Sequence, residues 1–321
     1  MKSDTKIKKE YDIAVIGEIN ADLILSGNVE PEFNQIEQVV DRADLVIGSS
    51  AVIFSCGIAK LGLKTTFIGK VGDDVFGNFM LASMKQRGID ISSVRIDKNI
   101  NTGISVILNK TDDRAILTYP GSIPELVFSE IDLEKISLSR HLHLSGFYLL
   151  DKLRGEIPYL FKIVKEMGLS ISLDTNYDPL EVWDGNIFEA LKYVDVFLPN
   201  EKEAFELSKT ETIKSALNFF SERVPIIVIK QGEDGASAQQ KDDHPIFHAA
   251  FPVEVIDAVG AGDSFNGGFL YGYLNNWSLK KSLEFAVACG SSSVRSVGGT
   301  DGQPTLDEAT SFIKKHCKER M

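Results

Sequence analysis

The chain has 321 residues, of which 43% are hydrophobic and 25% are charged, which is an ordinary composition for a globular protein with a core. Its formal net charge is −12, and no run of Lys or Arg could neutralise a phosphate backbone, so nucleic acid is excluded as an expected partner. No stretch approaches the roughly 20 apolar residues that a membrane span requires, so we expect no membrane partner.

The amino-terminal segment MKSDTKIKKEYD is basic but lacks the apolar stretch of a signal peptide. Three widely spaced cysteines, Cys56, Cys289 and Cys317, form no CxxC motif. Such spacing is typical of a reducing compartment and of a protein without a cysteine metal site. We therefore expect a cytoplasmic protein.

Apolar runs alternate with amphipathic runs along most of the chain. The predicted strands are 13–19, 66–71, 141–145, 170–174, 194–198 and 226–230. The predicted helices are 52–61, 75–87, 154–167, 215–220, 264–274 and 279–294. Several strand runs are apolar throughout, as is typical of strands covered on both faces. The alternation predicts an α/β protein with a mostly parallel central sheet and helices on both faces.

Two segments interrupt this alternation. Residues 21–47 contain the short alternating pieces DLILSG, EQVVD and ADLVIG, which resemble half-exposed strands. Residues 102–120 contain two such pieces on either side of a turn-rich stretch at 111–113, which indicates a hairpin. These strands predict a small second sheet, available as a lid or a dimer surface. With no repeat and no linker, we expect one domain over residues 1–321.

A glycine-rich turn, DAVGAGD at residues 257–263, leads directly into a predicted helix. Phe265 and Phe269 recur at helical spacing, so this helix should begin near Asp263. The free amides and the dipole of a helix start favour an anion. A carboxylate there can take a proton from a hydroxyl while the amides stabilise a phosphoryl group in transfer. Alternatively, the turn is only a tight connection in which Asp263 caps the helix.

Two other glycine patterns fail on spacing. After Gly262 the next glycine is Gly267, so the GxGxxG dinucleotide fingerprint is absent and an NAD-dependent enzyme is not favoured. Residues 57–65 resemble a P-loop, but Leu63 is inserted before the lysine and breaks the required spacing.

The sequence DAVGAGDSFNGGFL resembles the DTxGAGD signature of the ribokinase-like, or PfkB, family of carbohydrate kinases. Further family motifs follow in the same order over nearly the whole chain: GEINAD (17–22), GKVGDDVFG (69–77), DTN (174–176), NEKE (200–203) and KQGEDG (230–235). The resemblance implies the ribokinase-like fold, a mostly parallel sheet with helices on both faces and a small β-sheet lid. It also implies ATP-dependent phosphorylation of a hydroxyl on a small sugar or sugar derivative.

The resemblance implies a role for each matching residue. Asp263 would be the catalytic base, and the amides of Gly260, Ala261 and Gly262 would form an anion hole for the transferring phosphoryl group. The implied ATP-binding residues are Asn176, Asn200, Lys230, Gly232 and Gly235. Glu203 would hold Mg²⁺ through water, because Mg²⁺ usually keeps several waters that outer carboxylates organise. Read without the resemblance, Asn200 and Glu203 form a capping box at a helix start.

The implied substrate-binding residues are Asn20, Asp22, Gly48 and Ser49. Asn20 and Asp22 alternate along an extended segment, so both can face a polyol on one side. A plain turn after a strand is the alternative for these two residues.

The sequence departs from the family pattern at three positions. Ala258 replaces a threonine of the signature, and Ile53 stands where a GGxxxN stretch has its asparagine. A site with a different hydrogen-bonding pattern rejects the usual sugar strongly, so ribose is not the expected substrate. The DxNxR pattern has Asp178 in place of arginine. Arg114 on the predicted lid is a candidate replacement, although a solvated hairpin charge is the simpler interpretation.

Two other functions stay open at this point: a nucleoside kinase of the same fold and a non-catalytic sugar or nucleotide sensor. The resemblance allows a monovalent cation beside the loop at 257–260, and it makes a homodimer through the lid plausible. His141 and His143 share one face of a strand without an evident third ligand, so we interpret them as structural.

Overall fold

The computed structural model describes residues 8–110 and 114–319 of the chain. Most of the basic amino-terminal segment and the predicted turn at 111–113 lie outside these residues. The strands are β1 Tyr11–Ile16, β2 Asn20–Ser26, β3 Arg42–Ile47, β4 Thr65–Gly72, β5 Asp90–Asp97, β6 Gly103–Asn109, β7 Arg114–Tyr119, β8 Ser139–Ser145, β9 Ser170–Asp174, β10 Val196–Phe197, β11 Ile226–Lys230, β12 Ala236–Gln240 and β13 Ile246–His248.

The helices surround these strands and fill most of the predicted helical segments. They are α1 Ser50–Lys60, α2 Val75–Gln86, α3 Leu133–Ser137, α4 Asp151–Arg154, α5 Ile157–Glu166, α6 Ile187–Leu191, α7 Glu201–Ser208, α8 Ile213–Ser221, α9 Ala261–Leu274, α10 Leu279–Ser293 and α11 Leu306–Glu319. In the described residues, no helix has both the length and the apolar character that a membrane span requires.

The main sheet has the strand order β13-β12-β11-β10-β9-β8-β1-β4-β5. From β11 to β5 every neighbouring pair is parallel, whereas β12 and β13 pair antiparallel. The predicted α/β fold, with a mostly parallel sheet covered on both faces, is confirmed. The predicted strand at 194–198 is cut to the two residues of β10, because Pro199 follows and cannot donate to a ladder.

Two hydrophobic clusters lie on opposite faces of the main sheet. Along β1, Ala14 and Ile16 belong to one cluster, whereas Ile13 and Val15 belong to the other. This division follows from the alternation of side chains along a strand. The first cluster includes α5 and α8, and the second includes α1, α9 and α10.

A second sheet, in the order β3-β2-β6-β7, is built from the two segments that interrupt the α/β alternation. The outer strand β7 is exposed at every position. The prediction of a strand at EQVVD, residues 37–41, is wrong. These residues run straight into β3 without a turn, so they cannot fold back to pair with it, and Val39 is exposed.

Candidate active site

The carboxyl ends of the parallel strands open onto a cavity of about 940 Å³. Asp174 ends β9, Asn200 follows β10 and Lys230 ends β11, so neighbouring strands deliver these side chains to one edge of the sheet. The cavity brings together nearly all the residues predicted as nucleotide-binding or catalytic: Asn176, Asn200, Glu203, Lys230, Gly232, Gly235, Ala261, Gly262 and Asp263.

Helix α9 begins after a glycine in a conformation that disfavours any other residue. Gly260 has a φ of 72°, and a Cβ there would lie 2.7 Å from the Cα of Gly299. The first amides of a helix have no acceptor within it. The amide of Ala261 donates to the carbonyl of Ala258 at 3.3 Å, and those of Gly262 and Asp263 come next in the chain. The positive end of α9 therefore lies at the cavity wall.

The carboxyl of Asp263 stands in the first turn of α9 and is buried. Ser50, the first residue of α1, donates a hydrogen bond to its Oδ1. Burial raises the pKa of Asp263 to about 8, while the bond from Ser50 lowers it and the carboxylate of Asp174 raises it. A carboxyl with this pKa exchanges its proton near neutral pH, which suits a general base.

One side of the cavity, here called the Lys230 half, consists of Asp174, Asn176, Asn200, Glu203 and Lys230. The Lys230 ammonium donates to Oδ2 of Asp174 at 2.7 Å, and both side chains are largely buried. Burial lowers the pKa of Lys230, but the carboxylates of Asp174 and Glu203 outweigh it and raise the pKa overall. Each charge in this pair is therefore compensated.

The capping box at Asn200 is present. The amide of Glu203 donates to the Asn200 side chain at 2.9 Å, and the amide of Asn200 donates to Oε2 of Glu203 at 2.9 Å. Thr175 donates to the same Oε2 at 3.2 Å. Burial and the nearby Asp174 raise the pKa of Glu203 to about 7. Capping does not remove Glu203 from the cavity wall, so both functions can coexist.

No group of three or more Asp, Glu, His or Cys side chains in the described residues could form a metal cage. Asp174 and Glu203 nevertheless face one cavity with oxygen atoms that have spare lone pairs. Mg²⁺ commonly binds through one or two carboxylates, substrate phosphates and waters. The residues present therefore fit Mg²⁺ held largely through water.

A second group, here called the Gly48 half, consists of Glu18, Asn20, Asp22, Gly48 and Ser49. None of these five residues lines the cavity, but the next residue, Ser50, lines it and bonds Asp263. Asn20 donates to Oδ1 of Asp22 at 2.9 Å, and a Cβ on Gly48 would lie 2.3 Å from that oxygen. Burial raises the pKa of Asp22 to about 6. The hydroxyl of Ser49 donates to Glu18 and accepts the amide of Val52, which caps α1.

Two residues of the site were not among the binding residues selected from the motifs. Ser50 lines the cavity and contacts Asp263, whereas the motif comparison selected its neighbour Ser49. Glu18 is 3% exposed, and its Oε2 has no hydrogen-bond partner. The signal that could have found Glu18 is an acidic residue directly after a buried strand.

Apolar residues complete the cavity and were also missed. They are Phe251, Val253, Val255, Val287 and Val294. Such a surface beside polar groups suits the base of a nucleotide. The turn from β11 to β12 shapes this region: Gly235 has a φ of 114°, and a Cβ there would lie 2.1 Å from the carbonyl oxygen of His248.

Two of the three departures from the family pattern have structural explanations, whereas nothing in the structure explains Ala258. Ile53 is buried against Gly299. Asp178 is buried and accepts the amides of Leu180 and Trp183, so it holds a turn. In the second sheet, Asp22 of β2 lies opposite Ser105 of β6. Arg114 of β7 lies opposite Asn109, which is four residues further along β6. That register puts the backbone of Arg114 about 13 Å along the sheet from Asp22 and does not support Arg114 as the replacement cation.

His141 and His143 lie inside the main sheet region and are fully buried. His141 bonds Ser170 and Ser172 at 2.7 Å each, and His143 bonds Ser172 at 2.8 Å. Burial lowers both pKa values, that of His143 to about 3, so both rings are neutral. Their bonds within the sheet fit the predicted structural role.

Comparisons with known proteins agree with this geometry. The family described as pfkB family carbohydrate kinase matches residues 11–306. The chain is 31% identical to a 5-dehydro-2-deoxygluconokinase of Geobacillus thermodenitrificans, over 97% of the chain and 95% of that relative. A crystal structure of a putative ribokinase II from E. coli in complex with ATP and Mg²⁺ aligns with a TM-score of 0.85 and 25% identity, over 95% of this chain and all of that one. An Arabidopsis thaliana ribokinase with ribose and ATP aligns with a TM-score of 0.84 and 23% identity, over 95% of this chain and 99% of that one.

Proposed function

The chain belongs to the pfkB family of carbohydrate kinases, and we propose that it transfers the γ-phosphoryl group of ATP to a sugar-like hydroxyl with Asp263 as base. It is a phosphotransferase with an alcohol group as acceptor. The observation that carries the proposal is the position of Asp263, a buried carboxyl with a raised pKa in the first turn of α9 at the cavity wall. Relatives named as sugar kinases favour a sugar over a nucleoside acceptor or a sensor.

Transfer proceeds in line. The substrate hydroxyl oxygen forms a bond to the γ-phosphorus while the bond from that phosphorus to the ADP oxygen breaks. Asp263 takes the hydroxyl proton, and the amides of Gly260, Ala261 and Gly262 stabilise charge on the transferring group. The fixed position of both reactants supplies much of the rate enhancement.

The Lys230 half binds the nucleotide. We assign phosphate contacts to Lys230, Asn176 and Asn200, and the turn of Gly232 and Gly235 borders the nucleotide. When bound, Mg²⁺ neutralises charge on the phosphates, and Glu203 holds its waters. The crystal structure of the E. coli relative contains ATP and Mg²⁺, which supports both cofactors here.

The Gly48 half binds the substrate. Asn20 and Asp22 offer acceptors and donors to hydroxyls, and Gly48 leaves room beside them. Ser49 contributes by shaping the turn. The second sheet, from 21–47 and 102–120, acts as a lid on a single domain of residues 1–321 and limits hydrolysis of ATP by water.

Three further features extend the proposal. The second sheet carries exposed apolar side chains, with Leu45 and Leu117 on one face and Ile116 on the other, and a homodimer through the lid would cover part of this surface. The loop at 257–260 could also hold a monovalent cation through its carbonyl oxygens. Three free cysteines fit a cytoplasmic enzyme.

The test is a screen for ADP release with Mg·ATP over sugars, sugar acids, polyols and nucleosides. Asp263→Asn should fold normally and lose about 10²–10⁴-fold in kcat, since loss of a general base has that size. Asp301→Asn, the same change at an exposed turn, is the control. Near-normal turnover in Asp263→Asn would refute the assigned base.

A further inference from the structure

Phe251 links the cavity to the last helix of the chain. It lines the cavity, although only 3% of its surface is exposed. Its amide donates to Oγ of Ser291 in α10 at 3.3 Å, and Pro252 follows, so the backbone at this position has little freedom. The placement of the Phe251 ring therefore depends on the side chains that contact it.

Three aromatic rings contact Phe251, and two of them come from α11. The ring centroid of Phe251 lies 5.2 Å from that of His248, 5.3 Å from that of Phe312 and 5.5 Å from that of His316. Phe312 and His316 stand about one turn apart on α11, and their centroids are 4.3 Å apart. None of these three rings lines the cavity. Phe312 and His316 therefore contact the cavity wall without facing the cavity.

Both histidine rings are held by backbone carbonyls. Nδ1 of His316 donates to the carbonyl of Phe312 at 2.9 Å, and Nδ1 of His248 donates to the carbonyl of Ala249 at 2.8 Å. A carbonyl only accepts, so Nδ1 carries the hydrogen in each ring. Fixed rings at steep angles, such as the 70° between Phe251 and Phe312, favour one position of the Phe251 ring.

Helix α11 is also held at a second place. Leu306 and the fully buried Ala309 belong to a small hydrophobic cluster with Leu61 and Phe285. This cluster holds the first turns of the helix and does not include Phe251. The two sets of contacts can therefore be changed separately.

An apolar wall binds a flat nucleobase through contact area, so a displaced wall residue costs affinity. Among the five residues of the apolar wall described above, Phe251 alone is aromatic. The match to the pfkB family ends at residue 306, where α11 begins, so it does not extend to Phe312 and His316. We propose that Phe312 and His316 are positioning residues of the nucleotide site, which hold the Phe251 ring against the nucleobase and so set the affinity for ATP. This inference rests on the nucleotide position in the proposed function, but not on the acceptor or on the role of Asp263.

The experiment measures binding of Mg·ADP by calorimetry, which requires no acceptor. Phe312→Ala should raise Kd about three- to tenfold, the effect of losing one aromatic pair. Phe312→Leu keeps apolar contact with Phe251 and should stay closer to the wild type. The control is Leu306→Ala, which loosens α11 away from Phe251 and should lower Tm but leave Kd within about twofold. If Phe312→Ala does not fold, His316→Ala takes its place with an expected rise in Kd of at least about twofold.

A second measurement uses the reciprocity of coupled equilibria. If α11 favours nucleotide binding, the nucleotide must stabilise the docked α11 by the same free energy. Mg·ADP should therefore slow hydrogen exchange at the α11 amides of the wild type, and slow it less in Phe312→Ala. With an acceptor from the screen, KM for ATP should rise in Phe312→Ala, while kcat at saturating ATP stays at the wild-type value.

The outcomes separate a positioning role from a structural one. If Kd in Phe312→Ala stays within about twofold of the wild type while Tm falls as in Leu306→Ala, α11 only stabilises the fold and the inference is overturned. Equal weakening of Mg·ADP binding by Leu306→Ala also overturns it, because the effect then belongs to docking of the whole helix. A wild type that binds no Mg·ADP overturns it as well. Absence of turnover in a wild type that binds Mg·ADP would refute the proposed function, and the binding results would still decide the inference.

Discussion

The two halves of the site bury carboxyl groups in opposite ways. In the Lys230 half, Asp174 is bonded by an ammonium and by the Asn266 amide, and Lys230 also attracts Glu203. In the Gly48 half, Glu18 and Asp22 have no cationic partner in the interactions that set their pKa values.

The difference agrees with the role proposed for each half. ATP arrives with a large negative charge, so a half that binds it needs a fixed cation and carboxylates already neutralised by their neighbours. A polyol brings only hydroxyls, and uncompensated carboxyls are strong partners for them. The raised pKa values of Glu18 and Asp22 have burial as their main cause.

The largest effect on stability is expected from removing the cation of the Lys230 half, which would leave its carboxylates without a positive partner, as in the Gly48 half. Lys230→Met leaves Asp174 buried without its cation and should cost about 3–5 kcal/mol in the free energy of unfolding. The control is Lys165→Met, because Lys165 bonds Asp195 at 2.8 Å but is more exposed than Lys230. Lys165→Met should reduce the free energy of unfolding by about 1 kcal/mol or less. Urea unfolding measures both, and equal losses would contradict the contrast between the halves.

The same isosteric change in each half should have unequal effects. Glu18→Gln should change stability by less than about 1 kcal/mol at pH 7, whereas Asp174→Asn strands the Lys230 charge and costs more. Because the pKa of Glu18 is raised, the folded state holds its proton at pH values where the unfolded state has lost it. Stability from this group therefore falls as pH rises above the unfolded value, and Glu18→Gln should remove that fall. If the stability of Glu18→Gln falls more steeply with pH than that of the wild type, the assigned direction of the Glu18 pKa shift is wrong.

The smallest expected effect concerns the residue between the halves. The base must be ionised, so kcat/KM should rise with pH through the Asp263 pKa of about 8. Ser50→Ala removes a hydrogen bond that lowers this pKa, and the rising limb should move up by about 0.5–1 pH unit. Ser55→Ala, whose hydroxyl bonds Ala51 in the same helix, is the control. If the rising limb of the Ser50→Ala profile stays in place, the group that titrates in that limb is not Asp263.

The sequence predicted the Lys230 half better than the Gly48 half. Asp174, Asn200 and Lys230 each follow an apolar strand, and parallel strands deliver such residues to one edge without further information. The bond from Ser50 to Asp263 joins residues 213 positions apart, and the one from Ser49 to Glu18 joins residues 31 apart. No local pattern encodes such pairs, because they depend on how α1 packs against α9.

Backbone strain was also invisible in the sequence. Ser49 has a φ of 67°, a conformation in which glycine is the usual residue, and its bonds to Glu18 hold it there. The contacts of Ser49 with Glu18 and with the start of α1 therefore could not be predicted from the motif. The fold class was accessible because it depends on the order of strands and helices, whereas the short strands β12 and β13 have no strong apolar run.

Four chain crossings join the second sheet to the main layer, at 17–19, 48–49, 98–102 and 120–122. Asn20 lies directly beyond the first, and Gly48 and Ser49 form the second. The small sheet is therefore connected to the main layer through the same short segments that we propose bind the substrate. A rigid-body rotation of the small sheet about these connections would move Asn20 and Gly48 relative to Asp263. With the lid and substrate roles proposed above, opening of the sheet and release of the substrate would be one motion of the backbone.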